Sequence, residues 1–407
     1  MSARRWSGTR RTAVTWTGCA SARRSSGRCA HRDGAVGCRG GEAQRDSHGH
    51  GHDDHGHEDA DAEHDGAAAR PGTAPARPPA PRQAGRPDVF TFGETMVALR
   101  GSGPLKLGGT MQVSIAGAES NVAIGLARLG HEVRWAGAVG EDEAGELVLR
   151  TLRAEGVEVS GASADPGAAT GLLLFEPRLP DVTRVHYYRA GSAGSRLTPD
   201  VIERAFRAAP PRVLHLTGIT PALSPTARSA ALHSLRLARE HGSLVCLDVN
   251  FRARLWTAEE ASVVLGEWIP YVDLLTASDD ELPLCLPPRD ADIASASGIA
   301  SQAKRLRERG VGEIVVKLGA EGATAFTHEG SLHRSAKAVR AVDAVGAGDA
   351  FVAGYLSALL DGEGPAARLE RAVTTGAFAV ASPGDWEGAP TRAELGMLGA
   401  PPGTVVR

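Results

Sequence analysis

Val342-Asp343-Ala344-Val345-Gly346-Ala347-Gly348-Asp349-Ala350-Phe351 is the stretch whose reading decides the fold. It reads as a strand, a turn of small residues and a long helix over 349–360. That helix is apolar almost all round, which predicts burial rather than a place on the surface. Small residues let the backbone N–H groups of Gly346, Ala347 and Gly348 converge on one point. The helix start adds its own unpaired N–H groups and the positive end of its dipole. The turn therefore suits a terminal phosphate. A carboxylate inside a phosphate site repels its ligand, so Asp349 makes sense there as the base that takes the proton from an attacking hydroxyl. The turn's N–H groups then stabilise the charge of the phosphoryl group in transit. The chain contains no G-x-x-x-x-G-K-[ST] loop, which disfavours a P-loop enzyme. A Gly-Ala-Gly turn alone would equally serve tight packing.

Around this string, apolar blocks and amphipathic stretches alternate from Val89 onward. Strands are predicted over 89–95, 133–138, 212–217, 244–249, 271–276 and 313–318, and helices over 121–129, 143–155, 225–240, 258–268 and 301–309. Such alternation predicts an α/β fold with a mostly parallel central sheet and helices on both faces. Two strand-like runs, 170–176 and 183–189, follow one another with no helix between, and a third extended run covers 108–116. They predict a small β-flap lid from about residues 108–116 and 170–190. Ligands of open α/β sheets bind beyond the carboxyl ends of the strands, where such a flap would cover them.

The N-terminal sequence is of another kind. Residues 1–88 contain no Leu, Ile, Phe or Tyr, so residues 1–87 are expected to be a disordered tail that cannot offset its ordering entropy. Residues 1–45 are Arg-, Ser- and Gly-rich, superficially like a transit peptide but without the repeating apolar residues of an amphipathic helix. Residues 46–65 set His48, His50, His52, His55, His57 and His64 among acidic residues, a run that would bind zinc, nickel or copper weakly and without fixed geometry. Residues 66–87 read as an Ala/Pro/Arg linker, 88–395 as the folded domain and 396–407 as a short C-terminal tail.

Composition narrows the function further. Over 407 residues the net charge is −3, which argues against binding nucleic acid by bulk electrostatics. Aromatic residues make up 4%, too few for a stacking platform. No apolar run approaches the roughly 18 residues that cross a membrane. The five cysteines, Cys19, Cys29, Cys38, Cys246 and Cys285, form no C-x-x-C pair, so a reducing cytoplasm is the simplest compartment.

The string from Asp343 to Phe351 resembles the C-terminal signature of the ribokinase-like (PfkB) family of sugar kinases. The resemblance runs from about residue 88 to the C-terminus. A second matching region holds Ala116-Gly117-Ala118-Glu119-Ser120-Asn121, then Ala127-Arg128-Leu129-Gly130 and Gly137-Ala138-Val139-Gly140-Glu141-Asp142. By resemblance, Gly117, Ala118 and Asn121 line the sugar pocket; a glycine turn with an Asn cap is the structural alternative. Within the family, the 2-keto-3-deoxygluconate kinases look most similar. Phe92-Gly93-Glu94, 186–193 (HYYRAGSA), 214–224 (LHLTGITPALS) and Leu247-Asp248-Val249-Asn250-Phe251-Arg252 carry that likeness.

Their substrate has a carboxylate, for which Arg189 and Arg252 offer charge-assisted hydrogen bonds, while Tyr187 or Tyr188 covers the chain face. The resemblance also implies a nucleotide along Lys317, Gly319 and Gly322, where close backbone approach favours glycine. Ser278 stands where the family often has Asn in Asn-x-x-Glu, which leaves Glu281 to act on magnesium through water. Potassium activation is common in the family, and Asp343 with carbonyls around 379–384 would serve it. The expected reaction is phosphorylation of 2-dehydro-3-deoxy-D-gluconate to its 6-phosphate by ATP with Mg2+, by a homo-oligomer paired through its flaps. The alternatives are a fructokinase or another sugar or nucleoside kinase of the family, a catalytically silent sugar-binding protein, and a metal-handling role for the His-rich run.

Overall fold

The structure, a computed structural model, describes residues 77–83, 85–179, 182–287, 298–400 and 404–405. The Arg-rich and His-rich stretches expected to form a disordered tail lie outside the described residues.

Eight strands among the described residues form the central sheet. Across it they run β14 (Gly330–Arg334), β13 (Ala323–Thr327), β12 (Glu313–Lys317), β11 (Leu274–Ser278), β10 (Leu244–Asp248), β9 (Val213–Thr217), β1 (Val89–Phe92) and β4 (Val133–Ala136). β12 with β13 and β13 with β14 pair antiparallel, and the neighbours from β12 to β4 pair parallel. The parallel strands are buried along both faces, which is why β9, β10 and β12 read as nearly continuous apolar runs. Successive residues feed two separate cores. Leu214, Leu216, Val245 and Leu247 pack with α3 (Pro199–Ala208), α5 (Pro225–Glu240), α6 (Ala258–Trp268) and α7 (Gly298–Glu308), α4 (Thr220–Leu223) being a single turn between β9 and α5. Val213, Leu244, Cys246 and Leu274 pack with α1 (Ala118–Arg128), α2 (Glu143–Ala154), α8 (Ala347–Leu360) and α9 (Pro365–Val380).

The expected lid is a sheet of its own, ordered β3 (Met111–Ala116), β2 (Met96–Gly101), β7 (Leu172–Leu179), β8 (Val182–Tyr188). A short parallel pair, β5 (Ala138–Gly140) and β6 (Ser163–Asp165), lies apart from both. The strand expected over 89–95 ends early, at Phe92, and residues 93–95 are irregular chain leading to β2 of the lid sheet. β1 stops at Phe92 because Gly93 lies directly against the buried Glu119 side chain, and the chain turns there into β2. The strand expected before the glycine turn is replaced by irregular chain, in which Val342 N–H donates to the Val380 carbonyl at 2.8 Å. β11 starts only at Leu274 because Ile269–Tyr271 form a 3₁₀ turn. β2, β5, β6, β13, β14, α3, α4 and α9 add to the predicted elements. The expected tail boundary at residue 87 also moves. Arg77 Nη2 donates to Gly242 O at 2.7 Å, Arg86 Nη2 to Pro211 O at 2.8 Å, and Arg212 Nε to Ala80 O at 2.5 Å, so the described part of the linker is already tied to the domain.

Candidate active site

Gly346 caps α8 with φ 73, and a Cβ there would overlap the Asp385 carbonyl, so only glycine fits without strain. Three residues on, Asp349 is buried in the first turn of α8. Its Oδ2 accepts from Asn121 Nδ2 of α1 at 2.8 Å, and its Oδ1 from Asn250 Nδ2 at 3.4 Å. Asn250 follows β10 at φ 42, an uncommon conformation for a residue other than glycine. The turn aims its side chain between two carboxylates, because Nδ2 also donates to Asp248 Oδ2 at 3.0 Å. Burial raises the Asp349 pKa to about 7; the Asn121 hydrogen bond opposes this, the Asp248 charge adds to it, and Arg252 and Lys317 oppose it. The side-chain oxygens of Asn121 and Asn250 are buried without a hydrogen-bond donor. Such acceptors suit the hydroxyl groups of a ligand.

Lys317 ends β12 beside Gly348. Its Nζ donates to Asp248 Oδ1 at 2.6 Å, an oxygen that also accepts from Thr276 Oγ1 at 2.7 Å. Burial works against the ammonium, yet Asp248, Glu281 and Asp349 hold the Lys317 pKa above its ordinary value. A fixed cation thus stands beside the anion turn. It also faces a cleft of about 660 Å³ lined by small apolar groups together with Lys317, Gly319, Gly322, Lys337, Ala347 and Gly348. All three residues predicted on this strand and turn therefore line one cavity.

A second cleft, of about 480 Å³, is lined by Tyr187, Arg189, Leu223, Phe251, Arg252 and Arg254, among others. The two arginines predicted for a carboxylate differ. Arg189 is already paired with the buried Glu94, through Nε at 2.7 Å and also through Nη2, while Ser192 donates to the same carboxylate. Arg252 donates to its neighbouring Phe251 carbonyl at 3.0 Å and makes no ion pair among the described residues, although its charge acts on Asp349. Tyr187 is half exposed on β8 and Tyr188 more so. Gly117 precedes α1 and Ala118 opens it, two and three residues before Ser120 and Asn121. Asp349 lies between the clefts. It follows Gly348, which lines the first, and binds Asn250, which adjoins Phe251 and Arg252 of the second.

The remaining predicted residues brace the site. Glu281 accepts from Phe251 N–H at 2.7 Å and from Ser278 N–H at 2.9 Å, so it ties the ends of β10 and β11 together. Ser278 Oγ donates to Asp280 Oδ1 at 2.5 Å. Asp343 Oδ1 accepts from Val345 N–H at 3.1 Å and its Oδ2 from Arg100 at 2.9 Å. Among the described residues no cluster of three or more His, Cys, Asp or Glu could hold a metal ion. Sequence reasoning does not single out Asp248, Asn250, Glu94, Arg254 or Arg100. The first three stand inside quoted strings, but a string does not say which of its side chains turn toward the base.

A family model described as "pfkB family carbohydrate kinase" matches residues 86–392. A 2-dehydro-3-deoxygluconokinase of Thermoproteus tenax is 36% identical over 313 residues, 75% of this chain and 92% of that protein. The crystal structure of a Thermotoga maritima 2-dehydro-3-deoxygluconokinase aligns with TM-score 0.67 at 26% identity, over 77% of this chain and 98% of that one. A fructokinase double mutant of Vibrio cholerae, in fructose-, ADP- and potassium-bound form, aligns with TM-score 0.66 at 25% identity, over 78% and 99%.

Proposed function

The chain belongs to the pfkB family of carbohydrate kinases, and on that premise we propose that it phosphorylates a sugar acid, 2-dehydro-3-deoxy-D-gluconate, at its 6-hydroxyl with ATP. One observation carries this reading. Asp349 is a buried carboxylate with pKa about 7, set between an anion turn on the nucleotide cleft and an unpaired Arg252 on the other.

Near neutral pH such a carboxylate is half deprotonated, the condition in which a general base works best. The 6-hydroxyl gives its proton to Asp349 as its oxygen forms the bond to the γ-phosphorus. The bond from that phosphorus to the bridging oxygen breaks, and ADP leaves with the electron pair. The N–H groups of Gly346, Ala347 and Gly348 stabilise the transferred group, and Lys317 supplies a fixed positive charge beside them. The unsatisfied oxygens of Asn121 and Asn250 orient the sugar's hydroxyls, and Arg252 binds the carboxylate, with Tyr187 covering the chain. Arg189, oriented by Glu94, lends its remaining N–H groups. Gly319 and Gly322 would line the nucleotide, and a magnesium ion bound with it would supply neutralisation of phosphate charge. Glu281, both of whose oxygens already hold backbone N–H groups, would act on a bound magnesium through water.

A neutral ketose is the second reading, favoured by the loss of Arg189 to Glu94 as a free anion ligand. The exposed Val113, Val182 and Tyr188 of the lid sheet support pairing of two lids in a homo-oligomer. Cys246 and Cys285 are buried free thiols, which fits a cytoplasmic enzyme, and among the described residues no helix is long and apolar enough to cross a membrane.

The test is ADP release by the full chain with 2-dehydro-3-deoxy-D-gluconate, fructose and ribose, alongside Asp349→Ala. Preference for the sugar acid, lost in the variant, is the expected result. Preference for fructose or ribose would overturn the role of Arg252, and equal turnover by the variant would overturn that of Asp349.

A further inference from the structure

Arg100 lies on β2, in the lid sheet, yet its guanidinium reaches the chain that builds the anion turn. Nη1 donates to Asp343 Oδ2 at 2.9 Å and Nη2 to Asp385 Oδ2 at 2.7 Å. The guanidinium also lies 4.0 Å over the ring of Phe175 on β7, the lid strand next to β2. Both carboxylates belong to the support of the turn. Asp343 opens it and holds Val345 N–H through its other oxygen. Asp385 provides the carbonyl against which Gly346 rests. Asp385 is buried and Asp343 largely so, and among the described residues no other cation is ion-paired with either. Without Arg100 two carboxylates would face each other in a poorly solvated place, where like charges repel strongly.

We infer that Arg100 is a positioning residue for phosphoryl transfer: it clamps the two backbone segments of the anion turn together and joins them to the lid. The potassium ion expected at Asp343 does not fit this arrangement, because the guanidinium charge sits 2.9 Å from an oxygen that also accepts from Gly384 N–H at 3.5 Å, and it repels a second cation there. The positive charge at this place is built into the chain. A forked cation bridges two separate carboxylates with fixed directions, which an ammonium or a mobile ion cannot reproduce. The inference rests on the kinase reading only for its kinetic part.

The test uses the full chain and the variants Arg100→Met and Arg100→Ala, with two readouts. The first is hydrogen exchange of the amides of 345–350, which needs no substrate and therefore separates failure of the clamp from failure of the assigned reaction. Loss of the clamp is expected to speed that exchange about tenfold or more in Arg100→Met, while the amides of β9 and β10 stay protected as in the wild type. The second is kinetic. Turnover of the wild type is expected to stay within about threefold when choline chloride is replaced by potassium chloride at equal ionic strength. In Arg100→Met, kcat is expected to fall about 10- to 100-fold with KM for the sugar within threefold, as for a misplaced catalytic group. Added guanidinium chloride at low millimolar concentration should restore part of the rate of Arg100→Ala. Unchanged exchange, unchanged kcat, or a wild-type rate that rises more than threefold on adding potassium would each overturn the inference.

Discussion

Asp349→Asn removes the base and its titration together while keeping the shape of the side chain. Loss of general-base catalysis lowers turnover by about 10²–10⁴, or roughly 3–5 kcal/mol of barrier. The same substitution should stabilise the fold at neutral pH. The folded-state pKa is about 7 against an ordinary value of 3.8. Between those values the folded protein keeps a proton that the unfolded chain has released, so rising pH favours unfolding. The penalty is absent below pH 3.8, grows through the window and is complete above about pH 7. Each unit of pH inside the window is worth about 1.4 kcal/mol. From pH 5 to pH 8 the wild type crosses about two such units, so its unfolding free energy should drop relative to the variant by up to ~2.7 kcal/mol. Urea unfolding of both proteins at pH 5 and pH 8, followed by far-ultraviolet circular dichroism, measures that difference of differences. A gap that is equal at the two pH values, or that narrows as pH rises, refutes the claim that burial holds Asp349 protonated. In parallel, kcat of the wild type should rise with pH through about 7 as the base loses its proton.

Three further outcomes follow from single contacts. Arg252→Ala should lose a charged hydrogen bond worth about 1.5–3 kcal/mol, lowering kcat/KM for the sugar acid about 10- to 150-fold while barely changing that for fructose; equal losses on both substrates would contradict carboxylate recognition. Lys317→Met leaves the buried Asp248 carboxylate without its cation. It should cost about 3–5 kcal/mol in urea unfolding at pH 7, and a loss under ~1 kcal/mol would show that the pair is dispensable. Gly346→Ala forces a Cβ into a left-handed turn and against the Asp385 carbonyl. Its turnover should fall about 100-fold or more, checked by ADP release beside a melting curve.

The anion turn was legible in the sequence because everything it needs is contiguous. Gly346, Ala347, Gly348 and the first turn of α8 build it from adjacent backbone, whatever the rest of the chain does. The βα rhythm was legible for a related reason, since burial of each strand on both faces writes an apolar run of strand length into local sequence. β13 with β14 escaped because a short hairpin at a sheet edge has little apolar signal, and nothing in the amphipathic pattern of α9 explains why it was missed. Local spacing also placed Arg189 and Arg252 at loop ends and favoured Arg252 through its D-x-N-x-R string, but it did not show what holds Arg189.

Their difference comes from Glu94, 95 residues before Arg189, which only the joining of β1 to the lid brings into reach. The same holds for Lys317 and Asp248, and for Arg100 and Asp343, which are 243 residues apart. Local spacing within the sequence determines which backbone turns and faces form, because those depend on neighbours along the chain. Which charges are paired, which stay free for a ligand, and how far a buried carboxylate is pushed toward neutrality depend on distances across the fold, and these were decided only when the sheets and helices packed.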